Sequence, residues 1–236
     1  MEERGGISVQ TEHIFPIIKR WLYSDKDIFL REIVSNASDA ITKLRHLCAI
    51  GEAQGIDESC YRITVTLDEK AKTVSVDDNG IGMTADEVRN YINNIALSGA
   101  LDFVKKYEGA NAENDGIIGH FGLGFYSAFM VADEVHIDTL SYKDGATAVH
   151  WECDGGTEFD MTDGSKEGVG TEITLFLNED CLEFANEYRA REVIEKYCSF
   201  MPTPIFLEKE NAETEYETIP ADEVTEKDTV VENIVE

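Results

Sequence analysis

Between Ile28 and Arg45 the chain reads IFLREIVSNASDAITKLR, with Ile33, Val34, Ala37, Ala40, Ile41 and Leu44 recurring at helical spacing. These six predict one oily stripe facing a core. Glu32, Asn36, Asp39 and Lys43 fall on the opposite side, within a stripe about 60° wide at roughly 100° per residue. Two readings of that polar stripe stand side by side. It is a solvated outer face, or it is a column of carboxylate, amide, carboxylate and ammonium fit to hold a metal, a water and a phosphate chain.

The pattern elsewhere alternates between helix and strand. Residues 7–12 read as a short edge strand and 13–24 as an amphipathic helix, with Pro16 tolerable only in its first turn. Ser24 and Asp25 offer a cap for the helix carrying Glu32. Residues 51–59 form a loop, and YRITVTLDEKAKTVSVDD reads as a β-hairpin turning around Asp68 to Lys70. After the break at DNGIGM, residues 85–108 are helical in two pieces, 109–124 form a glycine-spaced loop, and 125–132 open a further helix. DEVHIDTLSY, TAVHWECD, EFDMTD and GTEITLFL follow as four strands separated by turn residues, then a helix over 186–200 and a last strand in PTPIFLEK. Helices grouped around an early hairpin and followed by a strand meander predict an α/β (α+β) two-layer sandwich. Its helices should cover one face of a mixed, mostly antiparallel sheet. Residues 1–207 make one domain, and 208–236, dominated by acidic and polar residues, an extension or linker.

Charge narrows the partners. The net charge of −28 argues against nucleic acid and anionic membrane, both of which need a cationic face. An anionic ligand would approach against a repulsive field, so a nucleotide must come with a divalent cation and be held by backbone dipoles. The 5 cysteines have no CxxC spacing, and their odd number without a leader points to free thiols in the cytoplasm. The longest apolar run, 121–132, is too short to span a bilayer.

Three further segments carry candidate chemistry. In VSVDDNGIGM, strand parity puts Asp78 on the face of Val74 and Val76, where a carboxylate needs a donor. It reads as a turn aspartate before Asn-Gly, or as a reader of adenine that accepts the exocyclic N–H and repels a guanine carbonyl. Gly80 and Gly82 would let the backbone close over the ring and Met83 pack against it. Thr171 shares parity with Ile173, Leu175 and Leu177, so its hydroxyl faces inward, either satisfied by backbone or joined to the Asp78–adenine network, directly or through water. In GIIGHFGLGFYSAF, Gly116, Gly119, Gly122 and Gly124 precede an apolar helix, a pattern that suits polyphosphate and a hinged lid but matches neither a P-loop nor a Rossmann fingerprint.

FLREIVSNASDA, DDNGIGM, IALSG, GHFGLGFYSAFMVAD and GTEITLFL, in this order, closely resemble the N-terminal ATP-binding domain of the ninety-kilodalton heat-shock chaperones, bacterial members above all. The resemblance covers roughly residues 7 to 207. It implies the Bergerat ATP-binding fold of the GHKL superfamily, with ATP or ADP and Mg²⁺ as ligands. Carried onto this chain, it implies that Glu32 orients and deprotonates the attacking water and that Asn36 ligates Mg²⁺. Asp78 and Thr171 would read adenine, and Asp39, Lys43, Gly82 and Met83 would line the pocket. Gly119, Gly122 and Gly124 belong to the lid, and Phe125 would offer its backbone N–H to the phosphates. The longer family protein has middle and C-terminal domains, dimerises and acts on client polypeptides. A lone N-terminal piece is expected to be mostly monomeric and weakly active.

Departures from the family pattern matter. Leu97 stands where a phosphate-facing lysine is usual, and His120 where glutamine is. A leucine cannot neutralise phosphate, so weaker nucleotide binding is expected unless Lys43, Lys105 or Lys106 compensates. The alternatives are a degenerate binding module without turnover, which Leu97 keeps open, and a topoisomerase- or MutL-type ATPase, which the acidity disfavours.

Overall fold

The hairpin β1 (Ile63–Asp68) and β2 (Thr73–Asp78) pairs in antiparallel register, Val65 opposite Val76, and its turn is held by Asp68 Oδ1. That oxygen accepts the N–H groups of Lys70 (2.8 Å) and Ala71 (2.9 Å), placing the turn where the charged run predicts it. The computed structural model describes residues 25–54, 60–93, 124–156 and 158–210. The expected strand at 7–12, the helix at 13–24, the second half of the helix over 85–108, the glycine loop before Gly124 and the extension from 211 lie outside these residues.

Among the described residues five more strands join the hairpin in one sheet: β3 (Ala132–Leu140), β4 (Val149–Cys153), β5 (Asp160–Asp163), β6 (Gly170–Leu177) and β7 (Ile205–Lys209). Their order is β5-β4-β3-β6-β2-β1-β7, antiparallel throughout except that β7 runs parallel to β1. The mixed, mostly antiparallel sheet expected from the meander is therefore present.

Helix α1 (Ile28–Ala49) lies across β2, β1 and β6. Phe29, Leu30, Ile33, Val34, Ile41, Leu44 and Leu47 are all at most 2% exposed, so the oily stripe is the core stripe. Each such side chain contributes about 1.5–3 kcal/mol through burial. The helix ends at Gly51, whose φ of +79° closes a Schellman motif: Glu52 N–H reaches Leu47 O (2.9 Å) and Gly51 N–H reaches Cys48 O (3.0 Å). At the other end Asp25 Oδ1 accepts the Asp27 N–H at 3.1 Å. Asp27, the capping residue itself, makes no side-chain cap. Its carboxylate turns instead to Arg189 on helix α2 (Glu187–Cys198), which Asn186 caps by accepting the N–H groups of Tyr188 and Arg189.

Two helical expectations change form. The segment after Gly124 is a 3-10 helix over Gly124–Met130, and β3 begins at Ala132, inside the expected helix. Ser127 Oγ donates to Gly124 O at 2.6 Å, tightening the first turn, and seven residues leave no room for a longer α-helix. Residues 85–93 start with a capping box at Thr84 and Glu87, then widen into a π-turn over Val88–Ile92. A 3-10 segment at Glu179–Ala185 was not anticipated. Among the described residues no helix is long and apolar enough to cross a membrane.

Candidate functional site

Along β2 burial alternates, with Val74, Val76 and Asp78 inside. Asp78 is 6% exposed, opposite Thr171 of β6 in the antiparallel register. Its Oδ1 accepts the Gly80 N–H at 2.8 Å, and among the described residues it has no ion pair. Burial pushes its carboxyl up to about 7, helped by the neighbouring Asp77. The Gly80 N–H, the Lys166 charge and the Thr171 N–H work against that rise. The Lys166 ammonium itself is engaged by Asp77, 2.7 Å away, a residue whose side chain alternates to the other face of the strand.

Beside Asp78 sits Thr139, a residue on β3 that the sequence reading passed over. It is fully buried, and its Oγ1 accepts the Met83 N–H (2.9 Å), donates to Gly170 O (3.0 Å) and lies 2.9 Å from Thr171 Oγ1. A hydroxyl has one hydrogen, and Thr139 spends it on the Gly170 carbonyl. Thr171 is then the donor to Thr139, and what Thr171 presents to its surroundings is lone pairs. The hydroxyl expected to join the Asp78 network is thus an acceptor waiting for a donor. The signal for Thr139 was available: it shares parity with Val135 and Ile137, as Thr171 does with its apolar neighbours.

The DNGIGM turn is wedged between helix and sheet. Ile81 N–H reaches Ala40 O (3.2 Å) on α1, and Tyr142 N–H reaches Ile81 O (2.9 Å). A side chain at Gly80 would meet the Ala40 backbone carbon at 2.6 Å, and one at Gly82, where φ is +58°, would meet Leu140 O at 1.9 Å. Both glycines are required by the backbone packing here. Asn79 bridges to the strand before it, accepting the Arg62 N–H (2.9 Å) and donating to Cys60 O (2.6 Å). Met83 is partly buried beside this turn.

The polar stripe of α1 is not a solvated face. Asp39 is 4% exposed, and Glu32, Asn36 and Lys43 are all partly covered. Burial pulls the Lys43 ammonium below its ordinary value, while Asp39 and Glu87 pull the other way. The Glu32 carboxylate pairs with Arg31, and it also abuts the start of the 3-10 helix. A side chain at Gly124 would meet Glu32 Oε2 at 2.5 Å. Phe125 is buried, its ring edge-on to Tyr126 (5.4 Å), Trp151 (5.8 Å) and Phe129 (6.1 Å), which fixes the 3-10 helix to the sheet. Glu32 and Gly124 are thus brought together, as are Asp78, Met83 and Thr171. Leu97, Gly119 and Gly122 lie outside the described residues. Since Ile81 contacts α1 at Ala40, the Asp78 turn and Glu32 are separated by eight residues, about 12 Å along the helix axis. A purine with its phosphate chain can bridge such a span.

Residues 26–160 match the family described as histidine kinase-, DNA gyrase B-, and HSP90-like ATPase. Chaperone protein HtpG of Bacteroides thetaiotaomicron is 51% identical over 208 residues, covering 88% of this chain and 30% of that protein. Chaperone protein HtpG of Porphyromonas gingivalis is 47% identical over 209 residues (89% and 30%), and that of Idiomarina loihiensis 40% over 209 (88% and 33%). The chain spans 30 to 33% of the length of these relatives.

Proposed function

This chain belongs to the histidine kinase-, DNA gyrase B- and HSP90-like ATPase family, and we propose that it is the N-terminal nucleotide-binding domain of an ATP-dependent chaperone of the HtpG kind. In this reading it binds ATP and ADP with Mg²⁺ and hydrolyses ATP, driving a conformational cycle on client polypeptides in the longer, dimeric, cytoplasmic protein. The observation that carries it is Asp78: a carboxylate 6% exposed, with no ion pair among the described residues, beside a threonine hydroxyl that offers only lone pairs. Two adjacent acceptors on an apolar floor suit a ligand edge rich in N–H donors, and adenine's amino group is one.

The remaining roles follow the helix upward. Asp39 and Lys43 line the pocket wall with Gly82 and Met83. Asn36 offers an amide oxygen, the hard donor that Mg²⁺ takes, and Mg²⁺ would offset phosphate charge that a protein of charge −28 otherwise repels. Glu32 acts as general base toward the attacking water once its carboxylate is free of Arg31. Gly124 and the Phe125 N–H close on the phosphates from the opposite side. In calorimetry with Mg-ATP, Asp78→Asn should lose binding. In the longer protein Glu32→Ala should bind but not turn over. Unchanged affinity in Asp78→Asn rejects the pocket assignment.

Leu97 favours one second reading, a nucleotide-binding module without turnover. A turnover assay in the longer protein separates the two. Leu97→Lys should tighten nucleotide binding if the lost ammonium is what weakens it.

A further inference from the structure

We propose that His136, His150 and Glu152 form a binding site for a divalent transition-metal ion, of the zinc, cobalt or nickel class, on the sheet face opposite Asp78. Strand alternation places them there. In β3 Val135, Ile137 and Thr139 point into the core and His136 and Asp138 away from it. In β4 Val149, Trp151 and Cys153 point in and His150 and Glu152 out. The antiparallel register sets His136 against Glu152 and Asp138 against His150, so four polar side chains make a two-by-two block on neighbouring strands.

The donors converge. One donor atom from each of His136, His150 and Glu152 lies within 4.8 Å of the other two. Glu152 Oε2 is 3.4 Å from His150 Nε2 and 3.6 Å from His136 Nε2. Ligand atoms held 2.0–2.1 Å from a tetrahedral ion sit about 3.3 Å from one another, so the metal-free spacing already approaches the bound one. Two imidazole nitrogens and one carboxylate oxygen are a donor set for zinc-like ions, not for magnesium or calcium, which take oxygen.

A fourth residue orients the second histidine. Asp138 Oδ1 lies 2.9 Å from His150 Nδ1 and, by accepting its N–H, leaves Nε2, 3.4 Å from Glu152 Oε2, as the nitrogen that gives up its proton to take the metal. A carboxylate behind a histidine is the arrangement that fixes tautomer and ring angle in metal sites. The rings of His136 and His150 stand 5.2 Å apart at 86°, so the two nitrogens approach from different directions. Glu134, 2.8 Å from His136 Nε2, holds that ring in the metal-free state and adds negative charge. The side chains of His136, His150 and Glu152 are 23%, 28% and 41% exposed, open enough for an ion to enter and for water to complete its shell. Nothing in this site depends on nucleotide.

The test uses the untagged chain, stripped with chelator and titrated with Co²⁺, whose visible absorption distinguishes nitrogen and oxygen ligands from thiolates. One saturable equivalent is expected, without a thiolate charge-transfer band. His136→Ala and His150→Ala should each lower the affinity at least tenfold. Asp138→Asn, acting only through His150, should lower it about 10- to 100-fold. Cys153→Ser and His46→Ala should leave it unchanged. Amide signals of the unsubstituted protein, broadened by Co²⁺, should centre on β3 and β4, a readout that needs no variant to fold. Absence of saturable binding, a thiolate band, affinity indifferent to both histidines, or broadening centred elsewhere overturns the proposal.

Discussion

Two aspartates, Asp27 and Asp78, are buried to nearly the same degree, 4% and 6% exposed, and the fold treats them in opposite ways. Asp27, at the start of α1, meets the Arg189 guanidinium directly and the Lys196 ammonium at 3.8 Å. Arg189 is itself braced by Glu192 (2.6 Å) and lies over the Phe184 ring at 5.5 Å. Burial pushes the Asp27 carboxyl up and Arg189 draws it back. Asp78 receives backbone N–H groups from Gly80 and Thr171, and among the described residues no cation pairs with it, the nearby Lys166 being engaged by Asp77. A buried charge matched from within belongs to the architecture, and one left without a cation is what the proposed nucleotide reading assigns to a ligand.

Substitutions should separate the two regions. Arg189→Met leaves Asp27 with a distant lysine only, so unfolding in urea should show a loss of about 3 kcal/mol, with nucleotide affinity unchanged. The reverse holds for Asp78→Asn. Calorimetry should find ATP affinity at least about 100-fold lower, about 2.7 kcal/mol, while stability at neutral pH does not fall, because the amide avoids burying a charge. A destabilised Asp78→Asn that still binds ATP would erase the contrast.

Acidity sharpens it further. The Asp78 carboxyl titrates near 3.8 when unfolded and at about 7 when folded. Between those values the folded protein holds the extra proton, so each rise in pH costs stability, the cost is complete above pH 7, and none is felt below about pH 3.8. Relative to Asp78→Asn, the native protein should lose about 1.4 kcal/mol per pH unit across the middle of that window. Urea titrations at pH 5 and 6 check the slope, and the Asp78 carboxyl carbon signal in NMR checks the titration directly. A parallel pH course in both proteins would refute it. The smallest effect belongs to Thr139→Val, which strips Met83 N–H and Thr171 of their shared partner. Stability should drop by about 1–2 kcal/mol in thermal or urea unfolding, and less than 0.5 would make the hydroxyl dispensable.

What could be read beforehand is what short-range periodicity encodes. The oily stripe of α1, the hairpin with its turn at Asp68, and the inward parity of Asp78 and Thr171 all rest on neighbours within a few residues. Thr139 obeyed the same parity but sat in a run that reads as ordinary strand, and its importance arises from Met83 and Gly170, brought together only by the sheet. The Asp27–Arg189 pair joins positions 162 residues apart, with no local trace of either partner in the other's segment. The helix expected over 125–132 formed as a 3-10 helix ending at Met130 for a related reason, since β3 claims the chain from Ala132.

The turn at Ile81 hydrogen-bonds through both faces of its backbone, to α1 at Ala40 and to the chain leaving β3 at Tyr142. It works as a rivet through two plates. Through that single residue a shift of α1 at Ala40 is passed directly to the chain leaving β3, so the strand end that holds Asp78 and the helix that carries Glu32 are coupled by two backbone hydrogen bonds.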